Sequence, residues 1–556
     1  MTLRDRIAEH IHGDVYDDTA TLQKYSRDTS IFARTPSIVV FPKNAEDVSS
    51  LVEFVHDARL SGEHLTLTAR SAGTDMTGGP LTTSILMVFT KYMNRVRNVS
   101  PLYTETTEAT ATTEPGVYYR DFEKETLAKT GSLLASYPAS RELCAMGGIV
   151  SNNSGGELTL RYGKTADYIR SLNTVLSDGS QATFKPITLR ELEAKKHERT
   201  LEGKIYRDMH ALIEANKEEI EANRPTVSKN SAGYALWRVL DTQKGTFDLT
   251  QLICGSQGTL AMVTKATLGL VKPKEHKAML VIFLADFSVL PEIVKRVLTE
   301  KPESFESYDD KTFNLAIKFM PQMLRQMGLI PAIKLGLSFL PEVWLALTGG
   351  IPKLILMAEF AEDSAEAALE KVRIARALLA GLPVHTKIAR NEMQTAKYWK
   401  VRRESFALLR KNVKGLYAAP FIDDLSVHPK DYPTFLPELD AIVSGHSFIY
   451  TIAGHVGDGN FHIIPLTNMA DPKARQEILD VMPRVFALVA KYGGAITGEH
   501  NDGIVRTPYL SYQFTPKMLE LFAETKKIWD PLTLFNPGKK VGGTIADIER
   551  DMITHV

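Results

Sequence analysis

The sequence contains very little cysteine, with only Cys144 and Cys254 among 556 residues. Two cysteines cannot build a disulfide scaffold or hold an iron–sulfur cluster, so electrons taken from a substrate would leave through an organic cofactor or a partner protein. Lys plus Arg and Asp plus Glu balance at 66 each, which argues against a nucleic-acid partner. The charged stretch 1–18 carries no apolar run of the signal-peptide type, and we therefore expect a cytoplasmic protein.

Long hydrophobic runs are also missing, since no uncharged run reaches the roughly 18–20 residues that a membrane-spanning helix needs. The most apolar region, 311–353, is rich in Leu, Met and Pro, and its few charges are mostly basic. Two interpretations stay open. The region forms short core helices broken at prolines, or it forms an amphipathic patch that rests peripherally on the inner face of a membrane or on an electron acceptor.

The length of the chain predicts two or three domains. SIVVFP at 37–42 predicts a strand, and the stretch that follows predicts a helix beginning at Asn44. The composition changes near Pro273, after which strand–helix units predict a further α+β layer. We therefore expect an α+β protein with domains over 1–272 and 273–515, and a C-terminal helix and tail over 516–556 that pack back on the first domain.

Three glycine-rich loops carry the first chemical signal. They cover 70–79, 146–156 and 254–260. Small residues let backbone N–H groups approach a diphosphate closely, as in an anion-binding nest. A single loop of this kind is more often structural, so only the combination indicates a binding site.

The order of the segments resembles the FAD domain of the vanillyl-alcohol-oxidase/p-cresol-methylhydroxylase (PCMH) superfamily over about residues 30–272. The resemblance rests on PSIVVFPKNAEDVSSLV, RSAGTDMTGG, YPASRELCAMGGIVSNNSGG, RYGKTADYI and GSQGTLAMVT. It implies a PCMH-type domain of two subdomains that binds FAD. The cofactor-binding residues implied are Arg70, Ser71, Ala72, Gly73, Thr74, Asp75, Thr77, Gly78, Pro138, Gly147, Gly148, Ser151, Asn153, Gly155, Gly258 and Asn536. Some relatives tether FAD through a His where this chain has Thr74, which cannot act as that nucleophile, so the resemblance predicts non-covalent FAD.

The segment TIAGHVGDGNFHIIPL at 451–466 predicts two strands joined by a tight turn. Asp458-Gly459 is a favoured pair for a two-residue turn, which would set His455 directly opposite His462. Directly opposed side chains point to the same face with Cβ atoms about 5 Å apart, so two imidazoles so placed can share one metal ion. Taken alone, the segment also fits hydrogen-bonded structural histidines.

A second segment, TGEHNDG at 497–503, offers Glu499 as a third ligand. Two histidines and one carboxylate leave coordination positions open for a substrate, as a catalytic metal requires. We expect Zn²⁺ first, although the same ligands suit Mn²⁺ and Fe²⁺. His500 lies beside the ligand and is the candidate general base. The alternative is a polar loop with a solvated Glu-His pair.

Together, GHVGDGNFH and GEHNDG resemble the C-terminal half of the FAD-linked D-2-hydroxyacid dehydrogenases, among them D-lactate dehydrogenases, glycolate oxidase catalytic subunits and D-2-hydroxyglutarate dehydrogenase. The similarity covers about 275–542 and implies a substrate (cap) domain with an antiparallel sheet. Family members hold the substrate carboxylate with an Arg in a W-x-x-R segment, which implies Arg402, with Arg403 as a competitor. A surface Arg402 paired with Glu404 is the alternative. A Lys that D-2-hydroxyglutarate dehydrogenases carry aligns with Ile422, which weakens a dicarboxylate assignment.

These resemblances imply metal-assisted, FAD-dependent oxidation of a small D-2-hydroxy acid, such as D-lactate or glycolate, to the 2-oxo acid. We expect Arg402 to orient the substrate, His500 to remove the hydroxyl proton, and hydride to pass from C2 to flavin N5. The electrons then leave to an external quinone, cytochrome or iron–sulfur partner. Two other functions stay open: an alkyl transfer of the ether-lipid type, which the apolar 311–353 would suit, and a non-catalytic flavin subunit that relays electrons.

Overall fold

The computed structural model describes residues 1–101, 108–312, 352–391, 394–403 and 415–554. The apolar segment 311–353 lies almost entirely outside the described residues, so both interpretations of it stay predictions. Among the helices that are described, none is long and apolar enough to span a bilayer.

The N-terminal region begins with a four-stranded sheet. Its order is Asp14–Tyr16, Ile38–Phe41, Ile85–Val88 and Leu67–Arg70, and the last three strands are parallel. Ile38–Phe41 and Ile85–Val88 are buried at every position, as expected for parallel strands covered on both faces. The predicted helix is present as Ala45–Leu60, and the side chain of its N-cap residue Asn44 accepts from the Asp47 backbone N–H.

A five-stranded antiparallel sheet completes this region. Met262–Gly269 alternates between buried and half-buried positions over most of its length, because one face packs on the core. The strand order is Val96–Ser100, Thr110–Thr113, Met262–Gly269, Ile169–Val175 and Gln181–Phe184. Short strands at Ile187–Thr188, Leu240–Asp241 and Thr246–Phe247 form a separate sheet. The helices are Leu3–Ala8, Thr19–Lys24, Ala45–Leu60, Tyr119–Thr130, Met146–Asn152, Thr159–Tyr162, Leu189–Lys196, Leu201–Ala215, Lys217–Ala222 and Thr250–Ile253.

The region after Pro273 is built on a seven-stranded antiparallel sheet, and the two strand–helix units expected there are present. The strand order is His385–Ala389, His276–Leu284, Leu354–Glu362, Ser304–Asp309, Ile452–His455, Asn460–Ile463 and Leu425–Ser426. A small sheet pairs Tyr417–Ala418 with Leu466–Thr467. The helices are Leu290–Leu298, Ala365–Leu378, Tyr432–Ser444, Pro472–Lys491 and Gly503–Arg506. Mixed helices and antiparallel sheets confirm the predicted α+β class.

The C-terminal helices, Pro516–Trp529 and Ile545–Asp551, return to the N-terminal region. Lys526 Nζ donates to the Thr259 carbonyl at 2.6 Å, and the Leu67 backbone N–H donates to the Leu534 carbonyl at 2.8 Å. These bonds hold the tail against the first region. The limits 1–272, 273–515 and 516–556 remain a prediction.

Candidate active site

A cavity of about 460 Å³ lies between the N-terminal region and the seven-stranded sheet. All three glycine-rich loops contribute to its wall, and so do the 452–463 hairpin and the 497–503 loop. The structure therefore brings together two sets of motifs that are far apart in the sequence. The predicted site residues at the wall are Arg70, Ser71, Ala72, Gly73, Thr74, Asp75, Pro138, Gly147, Gly148, Ser151, Gly155, Gly258, Arg402, His455, His462, Glu499 and His500.

The first two glycine-rich loops meet at the Pro115 carbonyl. Ser71 Oγ donates to this oxygen at 3.0 Å, and the Gly147 backbone N–H donates to it at 2.8 Å. A Cβ on Gly147 would lie 2.9 Å from the same oxygen, so only glycine permits this approach. A Cβ on the neighbouring Gly148 would meet nothing within 4 Å. The helix that starts here thus presents bare backbone to the cavity, which suits a diphosphate.

The third loop is hydrogen-bonded to the second. The Gly255 backbone N–H donates to the Val150 carbonyl and the Gln257 backbone N–H donates to the Ser151 carbonyl, each at 2.9 Å. Gln257 adopts a left-handed φ of 53° to make this turn. The three loops consequently form one continuous wall.

Four predicted cofactor residues do not line the cavity. They are Thr77, Gly78, Asn153 and Asn536, and each is hydrogen-bonded within the protein instead. Their partners are Asp75 Oδ2 for the Thr77 hydroxyl, Asp28 Oδ2 for the Gly78 N–H, the Ala166 N–H for Asn153 Oδ1, and the Gln257 carbonyl for Asn536 Nδ2. These residues brace the loops, and a direct contact with a cofactor stays a prediction for them.

The predicted two-residue turn in the histidine hairpin is wrong. Four residues connect the strands: Val456–Asp458 form a 3₁₀ turn and Gly459 has a φ of 74°. His455 opposes Asn460, and His462 opposes Ala453. The turn is wider because Asp458 points inward, where its carboxylate lies 3.2 Å from Lys229 Nζ. His455 and His462 still share one face of the sheet as diagonal neighbours, with ring centroids 5.2 Å apart.

Both imidazoles turn Nε2 towards Glu499. The distances to its carboxylate oxygens are 3.7 Å from His455 and 3.8 Å from His462. Each Nδ1 is held by a buried carboxylate, at 2.6 Å by Glu306 and at 3.2 Å by Asp423. When the Nδ1–H group donates to a carboxylate, the lone pair of Nε2 is free to bind a metal ion, which is the usual arrangement of metal-ligating histidines. The donor set therefore fits a divalent cation.

Glu499 is buried within a ring of charges. Lys229 Nζ lies 2.6 Å from its Oε1, and Lys229 itself is fully buried. The Asp424 carboxylate accepts from the backbone N–H groups of Glu499 and His500, at 2.8 and 2.7 Å, which fixes the loop. Burial on its own would raise the pKa of Glu499, but Lys229 and His455 outweigh it and hold that pKa well below its usual range. Glu499 is therefore an anion, as a metal ligand must be.

His500 also faces the cavity. Its Nδ1 lies 3.1 Å from Asp423 Oδ2, and its ring stacks on His462 with centroids 5.2 Å apart. Burial opposes the protonated form, but Asp424 and Asp423 outweigh it and raise the pKa of His500 to about 9. The two carboxylates therefore favour the protonated form of this imidazole.

Arg402 lines the cavity and is paired with Glu306. The alternative partner, Glu404, lies outside the described residues. The competitor Arg403 also reaches the wall, but its guanidinium binds both carboxylate oxygens of Glu157, at 2.7 and 2.8 Å. Ile422, at the position of the missing Lys, is fully buried in the apolar core and does not line the cavity.

The two halves of the cavity are in direct contact. A Cβ on Gly155 would lie 3.3 Å from Glu499 Oε1. Asn501 Nδ2 donates to the Gly255 carbonyl at 2.8 Å, and the Gly503 backbone N–H donates to Gln257 Oε1 at the same distance. The glycine-rich wall and the carboxylate–histidine cluster thus form one site.

Sequence reasoning missed four charged residues around the ligands: Lys229, Glu306, Asp423 and Asp424. They share nearly complete burial. The Asp423-Asp424 pair in an apolar stretch was a detectable signal, since adjacent acidic residues rarely lie in a core without a function. Lys229 and Glu306 lie in segments with no motif, and only their neighbours in space reveal them.

Two family models match the chain, "FAD binding domain" over residues 36–185 and "FAD linked oxidases, C-terminal domain" over residues 273–540. D-2-hydroxyglutarate dehydrogenase of Escherichia coli (strain K12) is 28% identical over 551 residues, which are 95% of this chain and 50% of that protein. The chain thus spans about half the length of this relative. D-lactate dehydrogenase of Archaeoglobus fulgidus is 25% identical over 504 residues, 91% of each chain. A solved structure of alkyldihydroxyacetonephosphate synthase superposes with a TM-score of 0.63 at 14% identity, over 94% of this chain and 82% of that one. That likeness concerns the fold alone.

Proposed function

Because this chain unites an FAD binding domain with the C-terminal domain of the FAD linked oxidases, we propose that it oxidises a small D-2-hydroxy acid to the 2-oxo acid with the help of a metal ion. One observation carries the proposal. His455, His462 and Glu499 converge with His500 and Arg402 in the cavity that the glycine-rich loops line.

The glycine-rich wall would hold FAD. Gly148 offers its backbone N–H at the start of a helix, while the N–H of Gly147 is bound to the Pro115 carbonyl, and Arg70 adds a positive charge at the same wall. When bound, FAD supplies the two-electron acceptor for the oxidation. Thr74 lies at the wall and cannot form the tether that a His forms, so we propose non-covalent binding. Gel filtration in denaturant should separate the flavin from the polypeptide.

His455, His462 and Glu499 would hold the metal ion, with Zn²⁺ preferred over Mn²⁺ and Fe²⁺. A divalent cation held by these ligands would lower the pKa of a substrate hydroxyl bound to it. The carboxylates of Glu306 and Asp423 keep both imidazoles in the ligating tautomer.

Arg402 and His500 would handle the substrate. The guanidinium of Arg402 binds the substrate carboxylate and so orients C2. His500 accepts the hydroxyl proton, which requires its neutral form. The pKa of His500 is about 9 in the metal-free protein. A divalent cation bound nearby would lower this pKa, because it repels the protonated imidazole. Metal binding would therefore favour the neutral form of His500 that accepts the proton.

A small monocarboxylate such as D-lactate or glycolate suits this wall better than a dicarboxylate. Ile422, which aligns with the Lys of D-2-hydroxyglutarate dehydrogenases, is apolar and lies in the core. Both cysteines are buried as free thiols, so we propose that electrons leave to an external quinone, cytochrome or iron–sulfur partner.

The test is an anaerobic titration of purified protein with a panel of D- and L-2-hydroxy acids, combined with elemental analysis. We expect D-lactate or a close relative to bleach the flavin absorbance, the L-acids not to, and about one metal ion per chain. Bleaching that persists after complete metal removal would contradict metal assistance. No bleaching by any acid, with turnover of a fatty-acyl ketone phosphate instead, would establish the alkyl-transfer alternative.

A further inference from the structure

Glu306 has a carboxylate that touches two functional groups at once. It lies on Ser304–Asp309, the strand that pairs with Ile452–His455, and it is fully buried. Its Oε1 is 2.6 Å from His455 Nδ1, and its Oε2 contacts Arg402 Nη2. One buried anion thus connects a proposed metal ligand with the proposed carboxylate anchor.

Asp423 shows a parallel arrangement on the other histidine. Its Oδ1 is 3.2 Å from His462 Nδ1, and its Oδ2 is 3.1 Å from His500 Nδ1. Each carboxylate therefore binds one imidazole of the proposed metal site and forms an ion pair with one group proposed to handle substrate. The two differ in the second partner, a guanidinium for Glu306 and an imidazole for Asp423.

We infer that Glu306 is a positioning residue that couples metal binding to substrate binding, an inference that rests on the proposed function. A carboxylate on Nδ1 orients the ring and strengthens the ligand at Nε2. The same carboxylate forms an ion pair with Arg402 Nη2 and so keeps the guanidinium close to the metal site, where it can bind a substrate carboxylate. Because both contacts use the same buried group, a change at either partner is transmitted to the other, and the coupling is reciprocal.

The test compares three variants of the FAD-loaded protein. In Glu306→Gln, the amide cannot accept from both partners. In Asp423→Asn, the second metal ligand is weakened but Arg402 is untouched. Glu303→Gln is the matched control, since Glu303 is a buried carboxylate beside the same strand and pairs with Lys277 at 2.8 Å. Zn²⁺ affinity is measured by competition with a chromophoric chelator, and kcat and KM are measured with D-lactate or the best D-acid of the panel.

We expect Glu306→Gln to weaken Zn²⁺ binding about 10–100-fold and to raise KM about tenfold or more with a smaller change in kcat. Asp423→Asn should weaken Zn²⁺ binding similarly but lower kcat rather than raise KM. Glu303→Gln should stay within about twofold of wild type in all three quantities. An unchanged KM in Glu306→Gln, or an equal rise in Asp423→Asn, would overturn the inference.

A second measurement detects the coupling directly. Arg402 touches no proposed metal ligand, so Arg402→Met should change Zn²⁺ affinity about threefold or more when Glu306 is present and leave it unchanged in Glu306→Gln. Equal effects in both backgrounds would show that the bridge transmits nothing. If Glu306→Gln does not fold, Glu306→Asp, which is too short to reach both partners, replaces it. Wild-type protein that neither binds Zn²⁺ nor is reduced by any acid would instead refute the proposed function.

Discussion

The two walls of the cavity are built in opposite ways. The wall of the N-terminal region consists largely of backbone and small side chains, such as Gly147 and Gly148, with Arg70 and Asp75 among the few charged residues, and hydrogen bonds join its loops. The wall beside the seven-stranded sheet consists of charged side chains, such as Glu499 and His455, each held by a further buried charge. The first wall depends on close backbone packing at its glycines, and the second depends on paired charges.

This difference predicts different responses to substitution. In the glycine-rich wall, an added methyl group that has no space disturbs the local packing. The wall of buried charges is destabilised when one partner of a pair is lost, because the remaining charge stays buried without compensation. Substitutions in the two walls should therefore separate cofactor binding from metal binding.

The largest effect is expected for Glu499→Gln. The neutral amide is a poor ligand, so the metal should be lost and the rate of flavin reduction by substrate should fall about 10³-fold. FAD content, measured from the flavin absorbance after desalting, should stay at the wild-type level because the glycine wall is intact. Loss of FAD together with the metal would mean that the two walls are not independent.

The next largest effect is expected on the stability of the metal-free protein when a buried charge of the second wall is removed. Lys229→Met leaves Glu499 and Asp458 buried without their cation, and the free energy of unfolding of metal-free protein should fall by about 3 kcal/mol. Added Zn²⁺ should recover part of this loss by supplying positive charge. Urea denaturation with and without Zn²⁺ measures both. In the control, Lys204→Met, an exposed pair with Asp208 is lost and the change should stay below about 0.5 kcal/mol.

A smaller effect is expected in the glycine wall, where two neighbours should behave differently. A methyl group on Gly147 collides with Pro115, so Gly147→Ala should destabilise the FAD-free protein by about 1–3 kcal/mol. Gly148→Ala meets no atom and should keep wild-type stability while weakening FAD binding. Thermal unfolding and FAD titration distinguish the two, and similar results for both variants would contradict the described loop contact.

The smallest effect is expected in how the free energy of unfolding depends on pH. The folded-state pKa of His500 is raised to about 9 by Asp424 and Asp423, above the value of about 6.5 in an unfolded chain. Its contribution to stability in metal-free protein is therefore fully present below about pH 6.5 and is lost as the pH rises through about 9. Urea denaturation at pH 6 and pH 9.5 should show a larger loss for wild type than for His500→Asn. Equal losses would mean that the buried carboxylates do not hold a proton on His500.

The sequence alone was sufficient for the parts whose cause is local. Glycine-rich loops, the strand at 37–42, the Asn44 cap and the α+β class follow from residue types and their spacing, and the family resemblance is confirmed by the two matched models. Residue chemistry also singled out His455, His462 and Glu499, because few side chains bind metal ions. The structure places these three together in one cavity, and their roles remain proposals.

The pairing of the buried charges follows from the three-dimensional fold and from no sequence pattern. The hairpin turn widens because Asp458 turns towards Lys229. Lys229 lies 229 positions earlier in the chain, in a segment without a recognisable motif. Glu306 and Asp423 hold the two imidazoles from separate strands and loops. A buried charge requires a partner within a few ångströms, and that requirement acts through space, so the spacing of residues along the chain does not record it.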